Sequence, residues 1–279
     1  MFDLLLQAAP NAWRRAREPL LRALLARRGA ARTVNGIALR VDPVGRHVFT
    51  PIYDEGAAAC LRSHLREGME AWNVGANIGV YALQLAHMVG AAGRVVAFEP
   101  NPAARAVLVR NIARNALQSR IEVVASAVGS APGTVDFYAS GTDGMGRAGR
   151  PNPRLSATDR IEVPVTTLDA FAAARGHLPD LVVMDIEGWE IAALEGARSH
   201  LGRTRFIVEL HPDAWPWSGH TRGDLERLLD SVGLEARPLS GQRDPLGEHG
   251  QVVLEGESSF DGQRLVLKAT GEGGKGRDS

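Results

Sequence analysis

From residue 70 to residue 210, short apolar runs alternate with stretches of helical periodicity, and this alternation constrains the fold of the 279-residue chain most. The runs 71–74, 94–98, 121–125, 181–184 and 206–210 are short, bounded by turn residues and read as strands. Helices are expected over 78–89, 102–115, 189–200 and 224–231. Strands separated by helices return parallel to one another, so the sequence predicts an α/β fold with a doubly wound, mostly parallel sheet. The segments 234–239 and 251–254 are expected to add an antiparallel pair at its end.

Before this core, residues 34–41 read as a strand containing a turn at Asn35-Gly36, 47–52 as a second strand, and 55–67 as a helix. Within it, 134–139 and 161–165 alternate apolar and polar residues and read as short strands. The intervening 141–160 is rich in Gly, Pro and Arg without periodicity, the composition of a lid or binding loop, expected to close over an acceptor rather than a cofactor. Three parts follow: an N-terminal arm with a small strand and helix extension (1–69), one large domain (70–268) and a disordered tail (269–279). In the arm, Trp13, Leu20, Leu21, Leu24 and Leu25 interleave with Arg14, Arg22, Arg27 and Arg28, broken by Pro10 and Pro19. Packing on its own domain or in a homodimer is the simpler reading; a membrane surface or acidic partner is the alternative.

The formal net charge is zero, so no overall field draws the chain to nucleic acid, and none is expected as partner. A single cysteine, Cys60, excludes an intramolecular disulfide and a thiolate metal cluster, and fits a cytoplasmic address. No apolar run is long enough to span a bilayer.

The first core strand runs into Asn73-Val74-Gly75-Ala76-Asn77-Ile78-Gly79, where small residues let the backbone approach a ligand and the following helix offers unpaired N–H donors. The second ends at Glu99-Pro100-Asn101, with Glu99 placed to bind ribose hydroxyls. A dinucleotide fingerprint would need glycine at 77 and 80, which are Asn77 and Val80. The G-x-G-x-G pattern of S-adenosylmethionine enzymes misses only at Asn77, and asparagine tolerates left-handed dihedrals best among the other residues. Ser126 and Ala127 follow the third strand and leave room for an adenine. The expected cofactor site is therefore Asn73, Gly75, Ala76, Asn77, Gly79, Glu99, Pro100, Asn101, Ser126, Ala127 and Asp185.

These stretches resemble the FkbM-like family of methyltransferases. Also matching are Val163-Pro164-Val165-Thr166-Thr167-Leu168-Asp169, Asp185-Ile186-Glu187-Gly188 and Val208-Glu209-Leu210, in family order over residues 50–212. The resemblance implies a Rossmann-like class I methyltransferase sheet, S-adenosylmethionine as cofactor, and methyl transfer to a hydroxyl of a natural product or sugar. It would place aspartate where this chain has Asn73 and lysine where it has Val183. We read the two departures as coupled, a buried ion pair replaced by an amide and an aliphatic residue.

Methyl transfer from a sulfonium is an in-line displacement, and a hydroxyl acceptor must also lose a proton. Asp185 and Glu187, after the fourth core strand, are candidates to accept that proton, to bind the methionine ammonium or to cap the next helix. His211, after the fifth strand, is the third catalytic candidate. The three together could ligate a divalent cation, but no dense ligand motif supports one and no metal is expected. RNA or protein methylation, with Arg147, Arg150, Arg154 and Arg160 meeting phosphates or acids, stays open, as does cofactor binding without catalysis.

Overall fold

A computed structural model describes residues 29–139, 141–142, 146–151 and 159–256. The arm over 1–28, residues 257–268 of the expected large domain, the whole 269–279 tail and Arg154 lie outside the described residues.

Seven strands form the central sheet: β3 (Glu70–Val74), β4 (Arg94–Phe98), β5 (Ile121–Val124), β10 (Leu181–Met184), β11 (Arg205–Leu210), β12 (Leu234–Pro238) and β13 (Gly250–Gly256). Their order is β12-β13-β11-β10-β3-β4-β5. The five strands from β11 to β5 are parallel, while β13 runs antiparallel to both β11 and β12. The chain order reverses between β3 and β10, and ligands bind at such a switch point, outside the carboxyl ends of the strands.

Alternate residues of each strand feed two separate cores. Ala71, Val95, Val183 and Ile207 face one side, covered by α1 (Glu55–His64), α2 (Val80–Met88) and α3 (Pro102–Arg114). Trp72, Val96, Val182 and Phe206 face the other, covered by α4 (Leu168–Arg175), α5 (Glu190–Glu195) and α6 (Arg222–Val232). Trp72 meets both Phe98 and Phe171 edge to face, an arrangement that aromatic rings prefer. The sheet is thus covered on both faces, as expected.

An antiparallel hairpin, β1 (Ala30–Val34) and β2 (Ile37–Val41), turns at Asn35-Gly36 and adds Val34, Leu39 and Val41 to the α1-side core. Asn111 of α3 accepts from the Asp42 backbone at 2.6 Å, and Arg110 pairs with the Asp42 carboxylate at 2.7 Å. The extension is therefore joined to the main core.

Three local expectations change. Residues 47–52 form turns and bends instead of a strand, closed by Val48 N–H to Gly45 O and Thr50 N–H to Val48 O. Helix α4 lay unrecognised behind the strand pattern before it; Thr167 caps it by accepting from Ala170 N–H at 3.0 Å. The helix expected over 189–200 stops at Glu195, because Gly196 is pressed against the loop after β6 (Ala127–Val128). A Cβ at residue 196 would lie 2.0 Å from the Gly129 carbonyl oxygen.

Candidate active site

The first core strand ends in a turn that tolerates little change at Gly75. Its φ is 81°, and an added Cβ would lie 1.8 Å from the Asp185 carbonyl oxygen, so the β3 and β10 ends touch through bare backbone. Asn77 adopts φ 46°, the left-handed conformation that made asparagine an acceptable replacement for glycine there.

Glu99 joins this turn to the next. Its Oε2 accepts from Asn77 N–H at 2.6 Å and its Oε1 from Asn101 N–H at 2.8 Å. Burial pushes the carboxyl up to about 7, outweighing the opposing pull of these two bonds and of Arg105. Asn101 in turn caps α3, accepting from Ala103 N–H at 3.0 Å and donating to Gly141 O at 2.8 Å.

A cleft of about 670 Å³, open mouth included, lies over these turns. Of the expected cofactor residues, Gly75, Asn77, Glu99, Pro100, Asn101, Ser126, Ala127 and Asp185 line it. Three others stand back. Asn73 is buried within β3, Ala76 donates its N–H to Phe98 O, and Gly79 precedes α2. Phe98, Val128 and Phe137 supply apolar wall.

The cleft is roofed by a second sheet. Strands β7 (Gly133–Ala139), β8 (Arg147–Ala148) and β9 (Asp159–Thr166) join β6 in a second sheet of order β6-β9-β7-β8. Phe137 and Ala148 of this sheet, with Gly146 just before β8, line the same cleft as Glu99. The 141–160 segment, expected to close over an acceptor, thus brings Gly146 and Ala148 to a cleft that the expected cofactor residues also line. It does so because β7 pairs with β8 and folds the segment back.

Asp185, Glu187 and His211 come together at the carboxyl ends of β10 and β11. His211 Nε2 lies 3.9 Å from Asp185 Oδ1 and 3.8 Å from Glu187 Oε2. Glu187 itself takes a left-handed φ of 55°. The other ring nitrogen, Nδ1, is 3.0 Å from Oε1 of Glu190, a residue with 0% exposure. Glu190 also accepts from Gly188 N–H at 2.7 Å and Trp215 Nε1 at 2.9 Å. Burial alone would lower His211, but the bond to Glu190 and the charges of Glu190, Asp185 and Glu187 push it up to about 10. Burial and the neighbouring Glu209 carry Asp185 well above the usual carboxylate range. Its Oδ1 has no hydrogen-bond partner among the described residues.

Sequence reasoning passed over several residues here. Glu190 carries only the local signal of a first-turn helix acid, and its burial follows from its place against His211 and Trp215. Tyr53 is pushed up by burial and by Asp185, Asp54, Glu209 and Glu187, which marks it as a neighbour of this acidic wall. Arg147 Nη2 stands 3.6 Å from Glu187 Oε2, and its guanidinium lies 4.6 Å from the Trp217 ring centroid. No local sequence signal connects these pairs.

The donors and walls suit S-adenosylmethionine. Glu99 keeps lone pairs for a ribose diol, the small and apolar residues after β5 suit a flat base, and Trp189 Nε1 is a buried donor with no partner among the described residues. Strand order, glycine turn and ribose acid together define a class I S-adenosylmethionine-dependent methyltransferase. The chain belongs to the FkbM methyltransferase family, whose Methyltransferase FkbM domain matches residues 73–234.

Among solved structures, it is similar to a putative rRNA-methylase from Clostridium thermocellum, 13% identical with TM-score 0.44, covering 71% of this chain and 91% of that one. A SAM-dependent methyltransferase from Aquifex aeolicus is 16% identical, TM-score 0.40, with 76% and 92% covered. A SAM-dependent O-methyltransferase from Thermotoga maritima is 12% identical, TM-score 0.42, with 74% and 66% covered. No curated protein matches the chain. No helix among the described residues is long and apolar enough to cross a membrane.

Proposed function

We propose that the protein methylates a hydroxyl of a small molecule, a natural product or sugar, in the cytoplasm. The observation that carries this reading is Asp185. It lines the cleft that holds Glu99, leaves Oδ1 unpartnered among the described residues, and has a carboxyl raised well above the usual carboxylate range, which makes it a stronger proton acceptor. In the reaction, the hydroxyl oxygen forms a bond to the methyl carbon as the carbon–sulfur bond breaks. S-Adenosylhomocysteine and the ether leave, and the hydroxyl proton passes to Asp185.

RNA methylation has weaker support. Arg160 is paired with Asp136 at 2.8 Å and Arg147 is turned inward to Glu187, so these two arginines serve the protein's own acids. Asn73 and Val183, the departures that favoured binding without catalysis, lie inside the sheet and not on the cleft lining.

The test is incubation with methyl-labelled cofactor and three acceptor pools: hydroxylated small molecules, RNA and protein. Label is expected as an ether in the first pool, with Asp185→Asn losing turnover while still binding S-adenosylhomocysteine. Label confined to RNA or protein would overturn the reading, as would an unlabelled small-molecule pool.

A further inference from the structure

We propose that Asp185, Glu187 and His211 form a divalent-cation site beside the cofactor cleft. This goes beyond the proposed hydroxyl methylation but uses the same residues, and its primary readout is metal binding, independent of any acceptor.

The three donor atoms lie within 4.8 Å of one another. Two donors that each stand about 2.1 Å from one ion are separated by roughly 3.0 to 4.2 Å, depending on whether they are adjacent or opposite. The separations from His211 Nε2, 3.8 and 3.9 Å, already fall in that range.

The imidazole is held as metal-ligating histidines are held. Glu190, wholly buried and fixed by Gly188 N–H and Trp215 Nε1, takes the Nδ1 side of His211 and leaves Nε2 to face the two carboxylates. Asp185 Oδ1 is a buried acceptor that no described group satisfies, which is the condition a cation relieves. Glu187 is held in a left-handed backbone conformation at the position that delivers its carboxylate.

A second trio shares His211: Glu209 and His249 also lie within reach of one ion. One Nε2 serves one site, and Glu209 Oε1 already lies 2.9 Å from His249 Nε2. The unsatisfied oxygen is on Asp185, so the geometry favours the Asp185 trio. One imidazole with two carboxylates suits Mn²⁺, which accepts both oxygen and nitrogen donors. An ion here would take the acceptor hydroxyl as a further ligand and ease its deprotonation, leaving the second Asp185 oxygen for the proton.

The experiment is a Mn²⁺ titration of the full chain, loaded with S-adenosylhomocysteine, followed by electron paramagnetic resonance. Wild type is expected to bind one ion, and His211→Ala or Asp185→Asn to weaken it at least tenfold. Glu190→Gln, which changes only the support of His211, is expected to weaken it less. Retained S-adenosylhomocysteine binding shows that each variant is folded. Absence of saturable Mn²⁺ binding in folded wild type would overturn the site. Equal loss in His211→Ala and His249→Ala with none in Asp185→Asn would overturn the assignment to this trio. A metal-binding enzyme that labels only RNA would reject the small-molecule reading while leaving the site standing.

Discussion

Asn73 and Val183 are register partners on the adjacent parallel strands β3 and β10, each with 1% exposure. The pair stands where the family resemblance leads one to expect aspartate and lysine. Both polar atoms of Asn73 lack partners among the described residues. An aspartate there would be a buried charge facing a valine. We expect Asn73→Asp to cost about 3–5 kcal/mol in chemical denaturation, and Asn73→Asp with Val183→Lys to recover most of it. Equal stability of wild type and the single variant would show that the two positions are not coupled.

Glu99 sets cofactor affinity and its pH dependence. Glu99→Ala should weaken S-adenosylhomocysteine binding by about 1.5–3 kcal/mol in calorimetry, since hydrogen bonds to a charged group are lost. If the ionised form binds the ribose, affinity should fall about tenfold per pH unit below 7. A pH-independent affinity between 5.5 and 7.5 would contradict this.

The same raised carboxyl makes a separate claim about the cofactor-free protein. Between its ordinary value of 4.5 and about 7, Glu99 holds a proton in the folded state that it has lost in the unfolded one. Its contribution to stability therefore falls as pH rises through that window. Thermal unfolding of Glu99→Gln, compared with wild type at pH 5 and pH 7.5, should show the variant gaining relative stability at the higher pH.

His211 carries the same sign over a higher pH window in the metal-free protein. Its folded value is about 10, against an ordinary 6.5. The associated stability is fully present below 6.5 and is lost as pH rises through about 10. Imidazole NMR should show His211 still protonated at pH 8, and Glu190→Gln should bring its titration down. A midpoint near 6.5 in wild type would refute the arrangement of carboxylates around the ring.

Ala148 tests the roof. It lines the cleft with Glu99, so Ala148→Leu should fill cofactor space and weaken S-adenosylhomocysteine binding more than tenfold with little change in unfolding temperature. Unchanged affinity would return the 141–160 segment to an acceptor-lid role.

The sheet and the cofactor turns were legible in the chain because they are encoded locally. The 94–98 strand has the bounds of β4, and 71–74, 181–184 and 206–210 differ from β3, β10 and β11 by at most one residue. Apolar runs of that length bounded by turns carry their own signal. Asn77 could be read as a left-handed residue because the constraint is that of its own backbone. Residues 47–52 failed for the converse reason: apolar content suggested a strand, but no neighbouring strand pairs with it.

By itself, then, the sequence determined the alternating elements, the glycine turn, the place of Glu99 after the second strand and the positions of Asp185, Glu187 and His211 at strand ends. Tertiary structure alone decided what surrounds them. The Glu190–His211 bond spans 21 residues, and Arg147 meets Glu187 across the gap between two sheets. The fold of β7, β8 and β9 over the cleft is likewise a pairing between distant segments. Periodicity records which face of an element is buried, but not which distant side chain it is buried against; that depends on the packing of the whole chain.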